Sequence, residues 1–377
     1  MTQKNLLVVT EVDFVDEDCG FRNSSVNIIF SEYLRHFDNV HVFCPSHLEG
    51  IKSFSGIKIH GVKQYSKKLS DRLRFLFSLE QKKRLRKIVS HNDITHLQIR
   101  VPSIFSLKSY SLLPRGMSSS FYVAGDWVES FSENYGFIGS KKVARLLNGF
   151  MVKGFRGRKI VTAGRALSEK YKEYCLAAHP YMSTTHHSVT KDAANDLHEI
   201  CYLGRLEPLK RVCDAILAVD VVLRKGYSVK LYICGDGKDR LKLHELVKEK
   251  GLKGHVVFMG QLAERADVES VLSNSGVVIL PSISEGTPKV LAEGMSFGCI
   301  PIAIQDVGSI NDIITHEENG LLADPRSPES LAENIVKIIQ DPVLASGLRK
   351  RALRYAEEHT IQHEVKKLWD FVRANED

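Results

Sequence analysis

A chain of 377 residues, 43% hydrophobic and 26% charged, is long enough for two domains that each bury a core. No apolar run approaches the ~20 residues of a membrane-spanning helix, and the start, MTQKNLLVVTEVDF, is too short and strand-like for a signal peptide. Seven scattered cysteines without a C-x-x-C pair speak for a reducing cytosol, not a disulfide frame or zinc, and a net charge of +7 without a binding motif argues against nucleic acid.

In chain order, residues 5–10 (NLLVVT) and 40–45 (VHVFCP) read as buried strands. Residues 24–36 between them have helical spacing, which opens a doubly wound α/β sheet. The loop 13–23 should then face a ligand, with Gly20 as its glycine. Its Asp16-Glu17-Asp18 is read as an exposed acidic loop, not a metal site. Further strands are expected at 57–62, 94–98, 120–124 and 159–162. Two basic clusters stand out. One runs from Lys63 to Lys87 (Lys67, Lys68, Arg72, Arg74, Lys82, Lys83, Arg84, Arg86), the other from Lys141 to Lys159 (Lys142, Arg145, Lys153, Arg156, Arg158). Leu73, Phe75, Leu76 and Phe77 interleave the first; Leu146, Leu147, Phe150 and Met151 interleave the second. They are read either as helices lying on anionic lipid or as solvated helix faces with a core side. Asp126, after the strand FYVAG, either contacts a ligand hydroxyl or accepts its proton, or caps the helix that follows. Residues 178–198 lack periodicity and are read as joining the halves, with His186 and His187 as solvated linker residues.

The second half is more regular. A strand at 200–203 leads into Gly204-Arg205-Leu-Glu-Pro-Leu-Lys210-Arg and a helix at 212–224. An arginine fork and a lysine point charge five residues apart can grip a diphosphate from two directions. A strand at 229–234 meets the tight turn Gly235-Asp-Gly237, then a helix at 240–250 and a strand at 256–262. The next stretch is PSISEGTPKVLAEGMSFGCIP, residues 281–301, behind the strand 276–280. Thr287 is suited to cap a helix whose first residue is Pro288, Val290, Leu291, Gly294 and Met295 to form its buried face, and Gly298 to end it. Glu285 and Glu293 bracket its amide-rich start. That layout suits a ligand with phosphates in the middle and hydroxyls at both ends; otherwise Glu285 merely favours the helix dipole and Glu293 is solvated. A strand at 302–304, a helix at 328–340 and a last helix at 361–373 complete the reading.

Glu285-Gly-Thr-Pro, seven residues between the glutamates and Gly298-Cys-Ile-Pro301 resemble the E-x7-E element of retaining glycosyltransferases of family four, the group 1 transferases. Gly204 to Arg211 is similar to that family's G-R-L-x4-K-G, with Arg211 in place of the last glycine. Asp306-Val-Gly-Ser-Ile-Asn-Asp312 resembles its Gly-Gly-x-x-Glu-Ile turn, and Gly125 stands where the family has a histidine. The resemblance covers residues 199–345 by motif and the first half by architecture. It implies the α/β GT-B fold, two Rossmann-like doubly wound domains facing a cleft. Residues 1–185 would bind acceptor, 186–198 link, 199–358 bind the nucleotide-sugar, and 359–377 cross back onto the first domain. It further implies that Gly204, Arg205, Lys210, Gly235, Gly237, Leu262, Glu285, Gly286, Thr287, Pro288, Leu291 and Glu293 surround the donor. Glu285 would bond sugar hydroxyls and Glu293 the ribose. The catalytic set is Glu285, Arg205, Lys210 and Asp126, with Gly20 and Asp126 on the acceptor side. The expected partners are a nucleotide-diphospho-sugar, a glycan or lipid-linked acceptor and an anionic membrane surface. No cofactor, metal or nucleic acid is expected, and the place of work is the cytoplasm, at the inner face of the membrane. A non-catalytic partner subunit and a nucleotide-sugar epimerase on the same fold stay open as alternatives.

Overall fold

The computed structural model describes residues 3–48, 50–63, 72, 78–107, 109–112, 117–128, 131, 140–190 and 195–374. The chain divides into two compact units, residues 1–182 with 361–377 and residues 183–360.

The first unit runs β1 (Asn5–Val9), β2 (Phe14–Asp16), β3 (Gly20–Phe21), α1 (Ser24–Tyr33), β4 (Asn39–Ser46), β5 (Gly50–Phe54), β6 (Ile57–Lys63) and α2 (Leu79–His91). It continues with β7 (His96–Val101), β8 (Ser118–Val123), α3 (Ser140–Phe155), β9 (Lys159–Ala163), α4 (Arg165–Tyr171) and β10 (Ala177–Tyr181). Its parallel strands lie in the order β10-β9-β8-β7-β1-β4-β6, and β5 pairs antiparallel with β6. Leu6, Leu7, Val8 and Val9 of β1 are all fully buried, as befits a strand covered on both faces. Asn23 caps α1 through its side chain, which accepts from the Ser25 amide.

The loop expected at 13–23 is in fact a small hairpin, β2 against β3. Asp16 builds its turn: Oδ1 accepts from the amides of Cys19 (2.6 Å) and Asp18 (3.1 Å), and the Cys19 bond leads in holding the carboxyl below its ordinary range. Gly20 packs closely at the end of this hairpin. Its φ is +71°, and a Cβ there would land 2.5 Å from Phe54 Cζ.

The second unit runs β11 (Glu199–Leu203), α5 (Val212–Arg224), β12 (Lys230–Cys234), α6 (Arg240–Glu249), β13 (Val256–Gly260), α7 (Arg265–Asn274) and β14 (Val277–Leu280). Next come α8 (Lys289–Ser296), β15 (Ile300–Ile304), α9 (Ile310–Ile313), β16 (Leu321–Ala323), α10 (Pro328–Gln340) and α11 (Pro342–Glu358). Its six parallel strands take the order β13-β12-β11-β14-β15-β16. The boundary between the units, after residue 182, falls in the stretch expected to join the halves. Residues 177–181 form β10, and the chain from 183 packs within the second unit. His186 is 1% exposed; its Nε2 donates to the Ala356 carbonyl (2.7 Å) and its Nδ1 meets the Thr184 hydroxyl (2.6 Å). Asn195 Nδ2 lies against the carbonyls of Leu272, Ser275 and Phe297 at 3.1, 2.8 and 3.0 Å. Extended chain held by side-chain bonds of this kind has no period to read, while His187 is exposed.

The final helix, α12 (Ile361–Arg373), belongs to the first unit. Trp369 is fully buried and meets the rings of Phe37 and Tyr33 edge-on at 4.7 and 5.1 Å. Lys159 Nζ donates to the carbonyls of Phe371 and Val372, both at 2.9 Å, where helix ends leave carbonyls unpaired.

Candidate active site

In the second sheet the chain moves from β11 outward through β12 and β13, then returns to pair β14 on the other side of β11. That reversal is a topological switch point, where open α/β sheets bind ligands at the carboxyl ends of the strands. The two loops leaving it are residues 204–211 and 281–288, which carry most of the candidate residues.

The loops are tied to each other. The Ile283 amide donates to the Leu209 carbonyl at 3.0 Å. Lys210 Nζ donates to Glu285 Oε1 at 2.7 Å and to the Ser284 carbonyl at 3.3 Å, with side chains only 18% and 12% exposed. Three N–H donors sit on that ammonium, so one is left for a ligand. The Arg205 side chain is exposed, and its carbonyl accepts from the Tyr202 hydroxyl at 2.9 Å. Burial pushes the Tyr202 phenol up; the Glu285 carboxylate adds to the rise and Arg205 opposes it, so both charges act on this hydroxyl.

Glycines set the close approaches. Gly235 has φ +145°, and a Cβ there would sit 1.9 Å from the Gly204 carbonyl oxygen; one on Gly237 would sit 2.4 Å from that of Leu206. These two glycines let the 204–206 loop rest on the end of β12. Gly308 (φ +56°) does the same beside Glu285, whose carbonyl oxygen would lie 2.1 Å from a Cβ. Ser309 then fixes the Gly286 carbonyl with its amide (3.1 Å) and hydroxyl (2.8 Å). Arg211, where the resembled motif ends in glycine, holds φ +50°. Its guanidinium grips the buried Asp214 carboxylate with two bonds of 2.9 and 2.6 Å, which offsets a backbone cost of ~1–2 kcal/mol.

One expectation needs correction. Thr287 does not cap α8, which starts at Lys289 with Pro288 as cap residue. The Thr287 hydroxyl is buried with no partner among the described residues. The turn spends its amides internally, Lys289 N on the Thr287 carbonyl (3.0 Å) and Leu291 N on that of Pro288 (3.1 Å), so fewer point outward than a capped start would offer. Leu291 is fully buried, as its place on the inner face of the helix predicts, and Pro288 is buried too. In the first unit, Asp126 Oδ1 accepts from the Val128 amide (2.8 Å) and Oδ2 pairs with Lys170. The Val128 bond fits the capping reading, and the Lys170 pair places a cation beside the other carboxylate oxygen.

Gly286 is exposed, and Leu262, beyond the end of β13, is half-buried. Glu293 lies in the second turn of α8, 16% exposed, with Arg265 Nη1 at 3.9 Å. Burial raises its carboxyl above the ordinary range, while Arg265 and then Lys289 act against the rise. Arg265, Tyr202, Gly308 and Ser309 escape sequence reading as site residues. Only the chance that a cation opening a helix after β13 faces α8 pointed to Arg265. No group of three or more His, Cys, Asp or Glu able to hold a metal occurs among the described residues.

A family model described as glycosyl transferases group 1 matches residues 184–359. An uncharacterized glycosyltransferase of Methanocaldococcus jannaschii is 31% identical over 147 residues, 39% of this chain and 37% of that protein. The alpha-D-kanosaminyltransferase of Streptomyces kanamyceticus is 29% identical over 154 residues, 41% of this chain and 39% of the other. The chain thus spans about two-fifths of the length of these curated relatives. The crystal structure of Anabaena Alr3699/HepE in complex with UDP superposes with a TM-score of 0.69 at 15% identity, over 98% of this chain and 100% of that one. A loop pair at a switch point, a family match over the unit that holds it and a shared fold converge: residues 184–359 are similar to the group 1 glycosyl transferases, and the chain has the GT-B fold.

Proposed function

We propose that this chain transfers a sugar from a nucleotide-diphospho-sugar to a glycan or lipid-linked glycan acceptor, with retention of configuration and without a metal. The observation that carries the reading is the meeting of Arg205, Lys210 and Glu285 on two tied loops at the switch point, with Glu293 on the helix that follows. Arg205 and Lys210 supply preorganised positive charge for the departing diphosphate, the role a divalent cation fills elsewhere. Glu285, oriented by Lys210, accepts from the sugar hydroxyls, and Glu293 from the ribose. Retention follows from front-face attack, with the leaving phosphate taking the acceptor proton. UDP in the Anabaena relative supports a nucleotide ligand.

The test is thermal stability against UDP-, GDP-, ADP-, CMP- and dTDP-sugars without added metal. A donor at 100 times its Kd adds about 2.7 kcal/mol, a shift of several degrees. One base should stand out. Silence across the panel with folded protein would overturn the reading.

We place the work at the cytoplasmic face of a membrane. No helix among the described residues is long and apolar enough to cross one. The basic helix α3 contains no acid, and its Lys141, Lys142, Arg145, Lys153 and the following Arg156 are exposed beside Leu146, 63% exposed. Leu147 and Met151 form its core side. Of the first cluster, Lys67, Lys68, Arg74, Leu73, Phe75, Leu76 and Phe77 lie outside the described residues. Arg72 pairs with Glu11, and Arg84 donates to the Gly61 carbonyl. Each cation near an anionic surface is worth about 1 kcal/mol. The triple change Lys142→Ala, Arg145→Ala, Lys153→Ala should therefore cut sedimentation with phosphatidylserine vesicles by roughly 100-fold in affinity. Equal sedimentation of both proteins would remove α3 from the surface.

A further inference from the structure

The first sheet has its own switch point. From β1 the chain runs outward through β4 to β6, then returns to pair β7 on the other side of β1. Arg100 is the next-to-last residue of β7, at the ligand end of that strand. It is half-buried, and its guanidinium lies 4.2 Å from the centre of the Tyr122 ring and 5.6 Å from that of Phe30. No carboxylate pairs with it among the described residues. Glu364, which shares with Arg100 an influence on Tyr181, is taken up by the Met182 amide (3.1 Å) and Lys367 Nζ (2.8 Å).

The groups around Arg100 add unused polar capacity. Tyr33, fully buried, donates its hydroxyl to Gln98 Oε1 at 3.2 Å, and Arg100 reaches the same phenol. The Nε2 of Gln98 (0% exposed) and the hydroxyl of Tyr181 (1% exposed) are buried without a partner among the described residues. Tyr181 packs edge-on to Tyr122 at 5.8 Å. A cation drawn from water costs free energy unless an anion answers it, and buried donors without acceptors add to that cost. Here rings wall the cation, which meets the Tyr33 phenol but no anion among the described residues, and two side-chain donors are left unanswered.

We propose that Arg100, with Tyr33, Gln98, Tyr122 and Tyr181, forms a second ligand site in the first unit that receives an oxyanion. A phosphate or a carboxylate meets the guanidinium fork equally well. Under the transferase reading, on which this assignment of the ligand rests, that group belongs to the acceptor.

Titration calorimetry with inorganic phosphate tests the site in a protein whose donor loops are neutralised, Arg205→Gln with Lys210→Gln. Phosphate should still bind that protein, and adding Arg100→Gln should weaken it at least tenfold. Arg100→Lys, which keeps the charge, should recover part of the loss and separates recognition from misfolding. The same titration with acetate and glucuronate distinguishes the sources: Arg100-dependent binding of phosphate alone names a phosphorylated ligand, of carboxylates alone an acidic one. No binding in the doubly neutralised protein, or binding that Arg100→Gln leaves unchanged, would overturn the site. Nucleotide-sugar binding by the Arg100→Gln chain should be intact, so failure here and failure of the donor reading are told apart.

Discussion

Lys210→Met is expected to lower kcat by about 100- to 1,000-fold, the loss usual when one preorganised donor to a developing anion is removed. The change keeps the side-chain stem and deletes the ammonium that holds Glu285 at 2.7 Å. Because both partners are mostly but not fully buried, the broken pair should cost stability by only ~1–2 kcal/mol. Adding Glu285→Gln separates the two effects: stability should return toward the parent while kcat stays low. Steady-state kinetics with the donor named by the stability panel make the measurement. A kcat within a few-fold of the parent would remove Lys210 from the chemistry and leave it a loop tie.

Glu293→Gln should move stability and affinity in opposite directions. Burial raises the Glu293 carboxyl, so the folded chain holds this proton more tightly than the unfolded chain does. The sign follows directly. Stability is greatest at low pH, where the group is protonated, and is lost as pH rises from the unfolded value of about 4.5 through the higher folded one. At neutral pH the ionised carboxylate is therefore a burden, and the neutral amide should raise the unfolding midpoint, by about 2–4 °C for each ~1 kcal/mol relieved. Nucleotide-sugar affinity should fall about 10- to 100-fold, since hydrogen bonds to a charged acceptor are worth ~1.5–3 kcal/mol. In the parent, affinity should fade on acidification before the ordinary carboxylate range is reached; in the variant it should be flat there. Unchanged Kd in Glu293→Gln would remove it from ribose binding, and a lowered midpoint would contradict the burial cost.

The parallel strands and long helices of the second unit were legible because their causes are local. The sequence places helices at 212–224 and 328–340 and a last one at about 361–373, the bounds of α5, α10 and α12. The loops 204–211 and 281–288 are legible as a pair because glycine, arginine, lysine and glutamate stand there at the spacing of the resembled motifs. What escaped was set by contacts between distant parts of the chain. Asn195 and His186 look like linker residues until the carbonyls of Leu272, Ser275, Phe297 and Ala356 come beside them. Thr287 has the residue type of a cap, yet the turn before α8 closes on its own carbonyls instead. Nothing along the chain near Asp126 announces Lys170, which α4 brings beside it. Arg100 carried no signal at all, since an arginine in a strand declares nothing until its neighbours prove to be rings and unpaired donors. Periodicity and motif spacing are written along one stretch of chain, whereas a buried charge takes its meaning from the partners that folding brings, or fails to bring, within reach.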